Sequence, residues 1–158
     1  MGALATLLVL AIANVSGYCL YHSAQSIPKL QRYEQKAEKA AEWSNVAEKR
    51  LWDTRYTVGA GFLMTTVSLL TALSHIIFTW RSFGTVAWTA ALAAGELGVS
   101  GYMKGFWSNK SKIPLPSMGD YNEAISDTER VMGLSDVLGV GWAVFAGLML
   151  LRWLGLGV

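Results

Sequence analysis

The chain has 158 residues, of which 53% are hydrophobic and 15% are charged, and its formal net charge is +2. An ordinary soluble domain carries about 25% charged residues, so this composition is typical of a protein that lies in a lipid bilayer. The length leaves room for one domain, and the small net charge gives no basis for a nucleic-acid partner.

Four apolar stretches divide the chain, and each is long enough to cross a bilayer as a helix, which takes about 20 apolar residues. We expect a single transmembrane domain over 1–158, an all-α bundle of four transmembrane helices at about 3–22, 56–80, 83–105 and 134–156. Helices are favoured over strands because every backbone group must be satisfied inside the segment. The first stretch lacks a basic leader, so we expect a retained helix rather than a cleaved signal peptide.

The basic residues predict the orientation of these spans. Of the 13 Lys and Arg residues, 11 lie in the two connections between spans one and two and between spans three and four. Basic loops stay on the cytosolic side, so we expect both large loops in the cytosol and both termini in a lumen. The endoplasmic reticulum is the default membrane for such a chain, because no other targeting motif is present.

The first loop, Lys29–Arg55, is rich in Ala, Glu and Lys, which predicts one cytosolic amphipathic helix that begins after Pro28. This helix either extends span two into water or lies on the membrane surface as a lid. The second loop contains Pro114 and Pro116, and its end predicts a short helix over Tyr121–Val131, followed by a bend at Gly133 before span four.

Glu96 lies near the middle of span three, and Asn14 lies at a comparable depth in span one. An ionisable residue at this depth is costly and is a candidate for function. One interpretation is a protonated Glu96 that bonds to Asn14 and holds two helices together. The other is a catalytic proton donor or acceptor, since burial disfavours the charged form of a carboxyl group.

A second candidate site lies at the cytosolic mouth of the predicted bundle. Tyr18 follows Asn14 by four residues, and Tyr21 and His22 follow Tyr18 by three and four residues, so the four residues share one face of span one. The topology brings further polar residues to the same mouth, namely Arg55, Tyr56, Tyr102, Lys104 and Asp136. They predict either a pocket lined by phenols, an imidazole and an Arg–Asp pair, or an ordinary belt of interfacial aromatic and charged side chains.

The remaining polar and small residues carry less information. Cys19 is the only cysteine and is expected to be inert, facing lipid or another helix, and His75 is expected at the lumenal interface. No metal-binding spacing occurs, so we expect no metal and no cofactor. Small residues repeat at four-residue steps in spans three and four, which predicts close helix packing or a homo-oligomer; they are Ala87, Ala91, Gly95, Gly101, Gly105, Gly139, Ala143 and Gly147.

Several landmarks recur in the order found in one known family. They are Ser16-Gly17 late in span one, Ile27-Pro28 opening the first loop, Leu51-Trp52 with Tyr56 and Gly59 entering span two, and the proline-containing loop over Pro114–Asn122. With the length and the number of spans, this pattern resembles the family of small four-span membrane proteins that includes the fungal anthrone oxygenases.

The resemblance implies a cofactor-independent oxidation of a polycyclic phenolic anthrone to an anthraquinone. In that case His22 is the expected base, Arg55 stabilises the developing negative charge, and Tyr18 and Tyr56 position the aromatic rings. Glu96 is a further catalytic candidate, and Asn14, Tyr102 and Asp136 complete the expected substrate site.

Three functions therefore stay open, and each predicts a different structure. A membrane enzyme for an apolar small molecule predicts an apolar cavity that opens near His22 and Arg55. A non-catalytic scaffold or subunit predicts a well-packed bundle with no cavity. A proton-linked transporter predicts an oligomer in which Glu96 faces a shared axis, because four helices enclose little space for a pathway.

Overall fold

The computed structural model describes residues 2–41, 45–78, 82–107 and 119–156, and it describes side chains outside 32–48, 50–51 and 119–121. These residues form four α-helices: α1 (Ala3–Ala41), α2 (Asn45–Ile77), α3 (Phe83–Trp107) and α4 (Gly119–Trp153). The fold is therefore the all-α bundle that the composition predicts, and the described ranges contain no strand.

The helices run up and down in sequence order. Ser16 meets Ser68 and Cys19 meets Thr65, so α1 and α2 are antiparallel neighbours. The other close neighbours are α1 with α4 and α3 with α4, while α2 and α3 pack more loosely. We call the end where α1 leads into α2 the hairpin end, and the end with Ala3 and Trp153 the terminal end.

Three of the helices are long and apolar enough to cross a membrane, over Ala3–Gln31, Trp52–Ile77 and Asn122–Trp153. The protein is thus a membrane protein. Helix α1 has 39 residues and so measures roughly 58 Å, about twice the thickness of the hydrocarbon core. The apolar stretch of α3 is not among the three, and its crossing of the membrane stays a prediction.

The prediction of one separate helix over Lys29–Arg55 is wrong. Helix α1 continues through Pro28 to Ala41, and α2 begins at Asn45. The loop is therefore the tip of an antiparallel hairpin formed by two long helices. Helix-forming residues fill both arms, so composition alone shows the helix content but not the reversal. The side chains that would form the apolar face of this amphipathic helix lie mostly outside the described side chains.

The second connection also differs from its prediction. Helix α4 runs without interruption from Gly119 to Trp153, so the expected short helix and the bend at Gly133 are one continuous helix. A side chain at Gly133 would meet no atom within 4 Å, which means that packing does not require glycine there. The prolines of this loop, Pro114 and Pro116, lie outside the described residues.

Small residues do allow close packing, but only at some of the predicted positions. A Cβ at Gly139 would lie 2.6 Å from Leu97 Cγ and 3.3 Å from the carbonyl oxygen of Ala93, and a Cβ at Gly95 would lie 2.6 Å from Met64 Cε. The other predicted small residues are exposed, at Ala87, Ala91, Gly101, Gly105, Ala143 and Gly147.

Candidate functional site

A cluster of charged side chains joins α1 to α4 at the hairpin end. His22 Nδ1 lies 3.0 Å from Asp127 Oδ1, and Lys29 Nζ donates to Asp127 Oδ2 at 2.8 Å. Lys29 also lies 3.2 Å from Glu123. His22 and Lys29 stand seven residues apart on α1, so two helical turns place both on the face that packs against α4.

The carboxylate determines which ring nitrogen of His22 is free. A carboxylate oxygen only accepts hydrogen bonds, so in the neutral imidazole Nδ1 carries the proton toward Asp127 and Nε2 is the nitrogen with the lone pair. The imidazole is buried, and Nε2 has no hydrogen-bond partner among the described residues. An oriented imidazole with a free nitrogen is the arrangement that general-base chemistry requires.

Two phenol rings flank this imidazole. The ring centroids of Tyr18 and His22 are 4.6 Å apart at 86°, and those of Tyr21 and His22 are 5.4 Å apart at 78°. Both tyrosines are more than half exposed on the outer surface of α1. The aromatic face predicted for span one is therefore real at Tyr18, Tyr21 and His22, but only the imidazole points into the bundle.

A surface cleft of about 370 Å³ lies beside the charged cluster, lined by Lys29, Asn122, Glu123, Ser126, Asp127 and Arg130. Its volume is within the range of ligand pockets, roughly 300–1,000 Å³. The cleft is open and is lined by charged and polar residues, whereas the sequence predicted an apolar cavity that opens near His22 and Arg55. Asp127 is shared between the cleft and the imidazole.

The contacts described for the other residues of the predicted mouth are with partners other than His22. Arg55 lies over the ring of Trp52, with Cζ 5.2 Å from the centroid, and Tyr56 stacks on the same ring. Asp136 accepts a hydrogen bond from Lys104 of α3. The predicted Arg–Asp pair is therefore wrong, because Asp136 faces α3 and bonds to a lysine there. Tyr102 is about half exposed.

Glu96 belongs to a second cluster, in the middle of the bundle. Its side chain is 0% exposed, and the Ser68 and Ser135 hydroxyls adjoin its carboxyl group. The predicted bond to Asn14 is wrong, because Asn14 is exposed and donates to the carbonyl oxygen of Leu10 on its own helix. Since Glu96 is enclosed by its own chain, the expectation that it faces a shared oligomer axis is also wrong.

All four helices contribute polar groups to this mid-bundle cluster. Ser16 Oγ lies 3.1 Å from Ser68 Oγ, which also accepts from Trp142 Nε1 at 2.7 Å. Cys19 Sγ lies 3.5 Å from Thr65 Oγ1, so the cysteine faces another helix. Every one of these side chains is 0% exposed.

His75 is buried between helices instead of lying at the interface as expected. Its Nδ1 lies 2.9 Å from the carbonyl oxygen of Thr71, and its ring meets those of Trp142 and Phe145 edge-on. It stands near the terminal end of α2, far along the bundle from His22. Its surroundings are aromatic, and they present no charged partner among the described residues.

Sequence reasoning did not select Asp127 or Lys29, the two partners that complete the His22 cluster. A signal was present for Asp127. Trp142, Ser135, Val131 and Asp127 are spaced by seven, four and four residues, so they lie on one face of a continuous helix. This spacing places the Asp127 carboxylate on the inward face. The predicted bend at Gly133 interrupted that face and concealed it.

The described residues include no group of three His, Cys, Asp or Glu side chains placed to hold a metal ion. In comparisons with known proteins, no family model, no curated protein and no solved structure matches this chain. The resemblance to the anthrone oxygenases therefore stays a prediction from the quoted residues.

Proposed function

We propose that this protein is a small membrane enzyme that uses His22 as a general base on an apolar, phenolic substrate. The observation that carries the proposal is the 3.0 Å contact between His22 Nδ1 and Asp127 Oδ1, together with a buried Nε2 that has no hydrogen-bond partner among the residues that the structure describes. The contact fixes the tautomer and orientation of the imidazole and stabilises the imidazolium after proton transfer.

The chemistry needs a base and oxygen. His22 Nε2 removes a proton from the CH₂ carbon of an anthrone-like substrate, and the resulting carbanion is conjugated with the phenolic rings. This electron-rich anion reacts with O₂, and loss of water leaves a ketone, so one substrate and one O₂ give one quinone and one H₂O. Lys29, which lies beside Asp127 at the edge of the cleft, supplies a positive charge on this side of the imidazole.

The position of the site suits a substrate that dissolves in the bilayer. Tyr18 and Tyr21 are exposed on the outer surface of α1 and border the imidazole. An apolar aromatic molecule reaches this surface from the lipid, while its polar edge meets the charged cleft. We further propose that the hairpin end faces the cytosol, in the endoplasmic reticulum, because most basic residues belong to that end.

The direct test is turnover of candidate anthrones by membranes that contain the protein, with quinone formation followed by chromatography and mass spectrometry. We expect His22→Ala to lower the rate by about 10²-fold or more, the usual range for loss of a general base. Asp127→Asn should lower it as well, because the amide favours the wrong tautomer. Glu129→Gln, an exposed carboxylate change on the same helix, is the control and should leave the rate unchanged.

The scaffold hypothesis predicts a different result. If no anthrone is turned over by the wild-type protein, or if His22→Ala retains the full rate, the general-base proposal is wrong. In that case the His22–Asp127–Lys29 cluster is a structural tie between α1 and α4.

A further inference from the structure

The surface cleft at the hairpin end carries charges of both signs. Its lining contains two cations and two carboxylates, whose formal charges sum to zero; they are Lys29, Arg130, Glu123 and Asp127. Asp127 also belongs to the His22 cluster, whereas Glu123 and Arg130 are exposed and have no part in the proposed oxidation. Such a lining favours a ligand that is neutral overall and carries one charge of each sign.

The two exposed groups of the lining are the ones that a ligand can reach. Arg130 forms no ion pair with the residues that the structure describes, so its guanidinium can bind an oxyanion through two parallel N–H groups. Glu123 pairs with Lys29 through Oε2 at 3.2 Å, and its side chain is 67% exposed, which leaves Oε1 accessible. Seven residues separate Glu123 from Arg130, so both lie on one face of α4, about 10 Å apart along the helix axis.

The depth of the cleft matches that of lipid headgroups. The stretch over 2–28 contains no charged residue and has its middle near Ser16, and Lys29 lies 13 residues further along α1. At about 1.5 Å per residue, Lys29 is roughly 20 Å from this middle, beyond the roughly 15 Å half-thickness of the hydrocarbon core. On α4, the apolar span begins at Asn122, which lines the same cleft. The cleft therefore opens at the level of the phospholipid headgroups.

An exposed apolar stripe continues from the cleft toward the terminal end on the same face of α4. Steps of three and four residues from Arg130 lead to what we call the valine stripe, namely Gly133, Val137, Val140 and Val144. The three valines are more than half exposed, and a Cβ at Gly133 would meet nothing within 4 Å. From Arg130 to Val144 the stripe is about 21 Å long, so an acyl chain can lie along it beside a headgroup in the cleft.

We propose that the cleft binds the zwitterionic headgroup of phosphatidylethanolamine, with one acyl chain along the valine stripe. The phosphate accepts hydrogen bonds from Arg130, and the primary ammonium donates to Glu123. A choline headgroup carries the same charges, but its quaternary nitrogen has no N–H to donate. Phosphatidylglycerol has no cation for Glu123. The site therefore selects a primary amine, and it does not depend on the proposed oxidation.

Native mass spectrometry tests this proposal, because it identifies bound lipids by their mass. The full chain in dodecyl maltoside micelles is mixed with equal concentrations of phosphatidylethanolamine, phosphatidylcholine and phosphatidylglycerol that carry the same acyl chains. We expect the ethanolamine lipid to occupy the protein about three- to fivefold more than either competitor, near the upper limit for one exposed ion pair. Equal occupancy by the three lipids, or a preference for phosphatidylglycerol as on a simple basic patch, would overturn the proposal.

Two variants test the two contacts, and the exposed pair of Lys104 and Asp136 supplies a matched control for each. Glu123→Gln should abolish the preference for ethanolamine over choline, whereas Asp136→Asn should keep it. Arg130→Gln should lower the occupancy by all three lipids about threefold, whereas Lys104→Gln should not. An ethanolamine preference that survives in Glu123→Gln would contradict the proposed position of the ammonium group.

Free phosphoethanolamine distinguishes the lipid from its soluble headgroup. Since the valine stripe contacts only an acyl chain, we expect phosphoethanolamine at the same concentration to displace no bound lipid. Full displacement would identify a soluble phosphate ester as the ligand and so contradict the lipid assignment. These measurements contain no substrate for oxidation, so their failure is distinguishable from failure of the His22 proposal.

Discussion

Asp127 determines the character of the charged cluster, because it contacts both His22 and Lys29. Its carboxyl group is 12% exposed and each oxygen has a separate partner on α1. Asp136 also lies on α4, but it faces α3, is 41% exposed and bonds to Lys104. Two aspartates on one helix therefore differ mainly in burial, and burial decides the value of an ion pair.

This difference in burial predicts that replacing Asp127 and Asp136 by alanine will lower the free energy of unfolding by different amounts. Asp127→Ala leaves a buried imidazole without its partner and should lower the free energy of unfolding by about 2 kcal/mol or more. Asp136→Ala should lower it by less than about 1 kcal/mol, the usual range for an exposed pair. Unfolding in mixed dodecyl maltoside and sodium dodecyl sulfate micelles, followed by circular dichroism, measures both. Equal losses would contradict the assignment of Asp127 to the interior.

Ser68 carries a second prediction at the residue scale. Its hydroxyl accepts the indole N–H of Trp142 and meets Ser16, and all three side chains are fully buried. Ser68→Ala leaves that N–H unpartnered, so we expect a loss of about 1–2 kcal/mol in the same unfolding measurement. The matched control is Ser74→Ala on the same helix, because Ser74 donates to the carbonyl oxygen of Thr71 within its own helix. A loss as large for Ser74→Ala would mean that the buried contact with Trp142 has no special role.

At the scale of the helices, α3 and α4 pack closely where Gly139 faces Ala93 and Leu97. The backbone oxygen of Ala93 cannot move aside without moving α3. At Gly95 the neighbour is the end of the Met64 side chain, which has several rotatable bonds and can adapt. Glycine is therefore required for helix packing at Gly139 but less strictly at Gly95.

Replacing glycine by alanine at two positions of α4 tests this difference. We expect Gly139→Ala to destabilise the bundle by about 1–3 kcal/mol, since the added methyl group overlaps Leu97 and crowds a backbone oxygen. Gly147→Ala should be neutral or stabilising by up to about 1 kcal/mol, because its Cβ meets nothing within 4 Å and alanine favours helix. Thermal unfolding in detergent compares the two variants. Destabilisation by Gly147→Ala would indicate a packed partner on that face, such as a second copy of the chain.

The helices were predictable from sequence to the extent that apolar runs and composition determine them. The positions of α1, α2, α3 and α4 follow the four predicted spans, because a bilayer requires long apolar helices. The antiparallel pairing of α1 with α2 and the continuous α4 were not predictable in the same way. Their helical arms have no apolar run, and what fixes them is contact between distant segments, such as Lys29 with Asp127.

The candidate site was predictable only in part, for a related reason. His22 and Glu96 attracted attention because polar residues are rare in apolar spans, and the structure places both in the interior. Arg55, Tyr56 and Tyr102 were grouped with His22 because they share one end of the bundle. Residues at the same end of a bundle can still lie on different sides of it. The position of each residue around its helix decides which side that is.

For the whole molecule, the number of membrane crossings depends on whether α3 spans the bilayer. Three helices have the required apolar character, while α3 carries Glu96 in its middle and is packed antiparallel to α4. Because Glu96 is shielded from lipid by the other helices, α3 can cross the bilayer without exposing a carboxyl group to it. We therefore predict four crossings, with both termini on the lumenal side.

Three crossings would place the two termini on opposite sides, so the termini discriminate between the alternatives. In microsomes that contain the protein, glycosylation tags added at either end should both be modified, and Asn109 in the second loop should stay unmodified. A cysteine introduced at Lys110 in a Cys19→Ala background should react with a membrane-impermeant maleimide in intact microsomes. Modification of only one terminal tag, or protection of position 110 until detergent is added, would show that this topology is wrong.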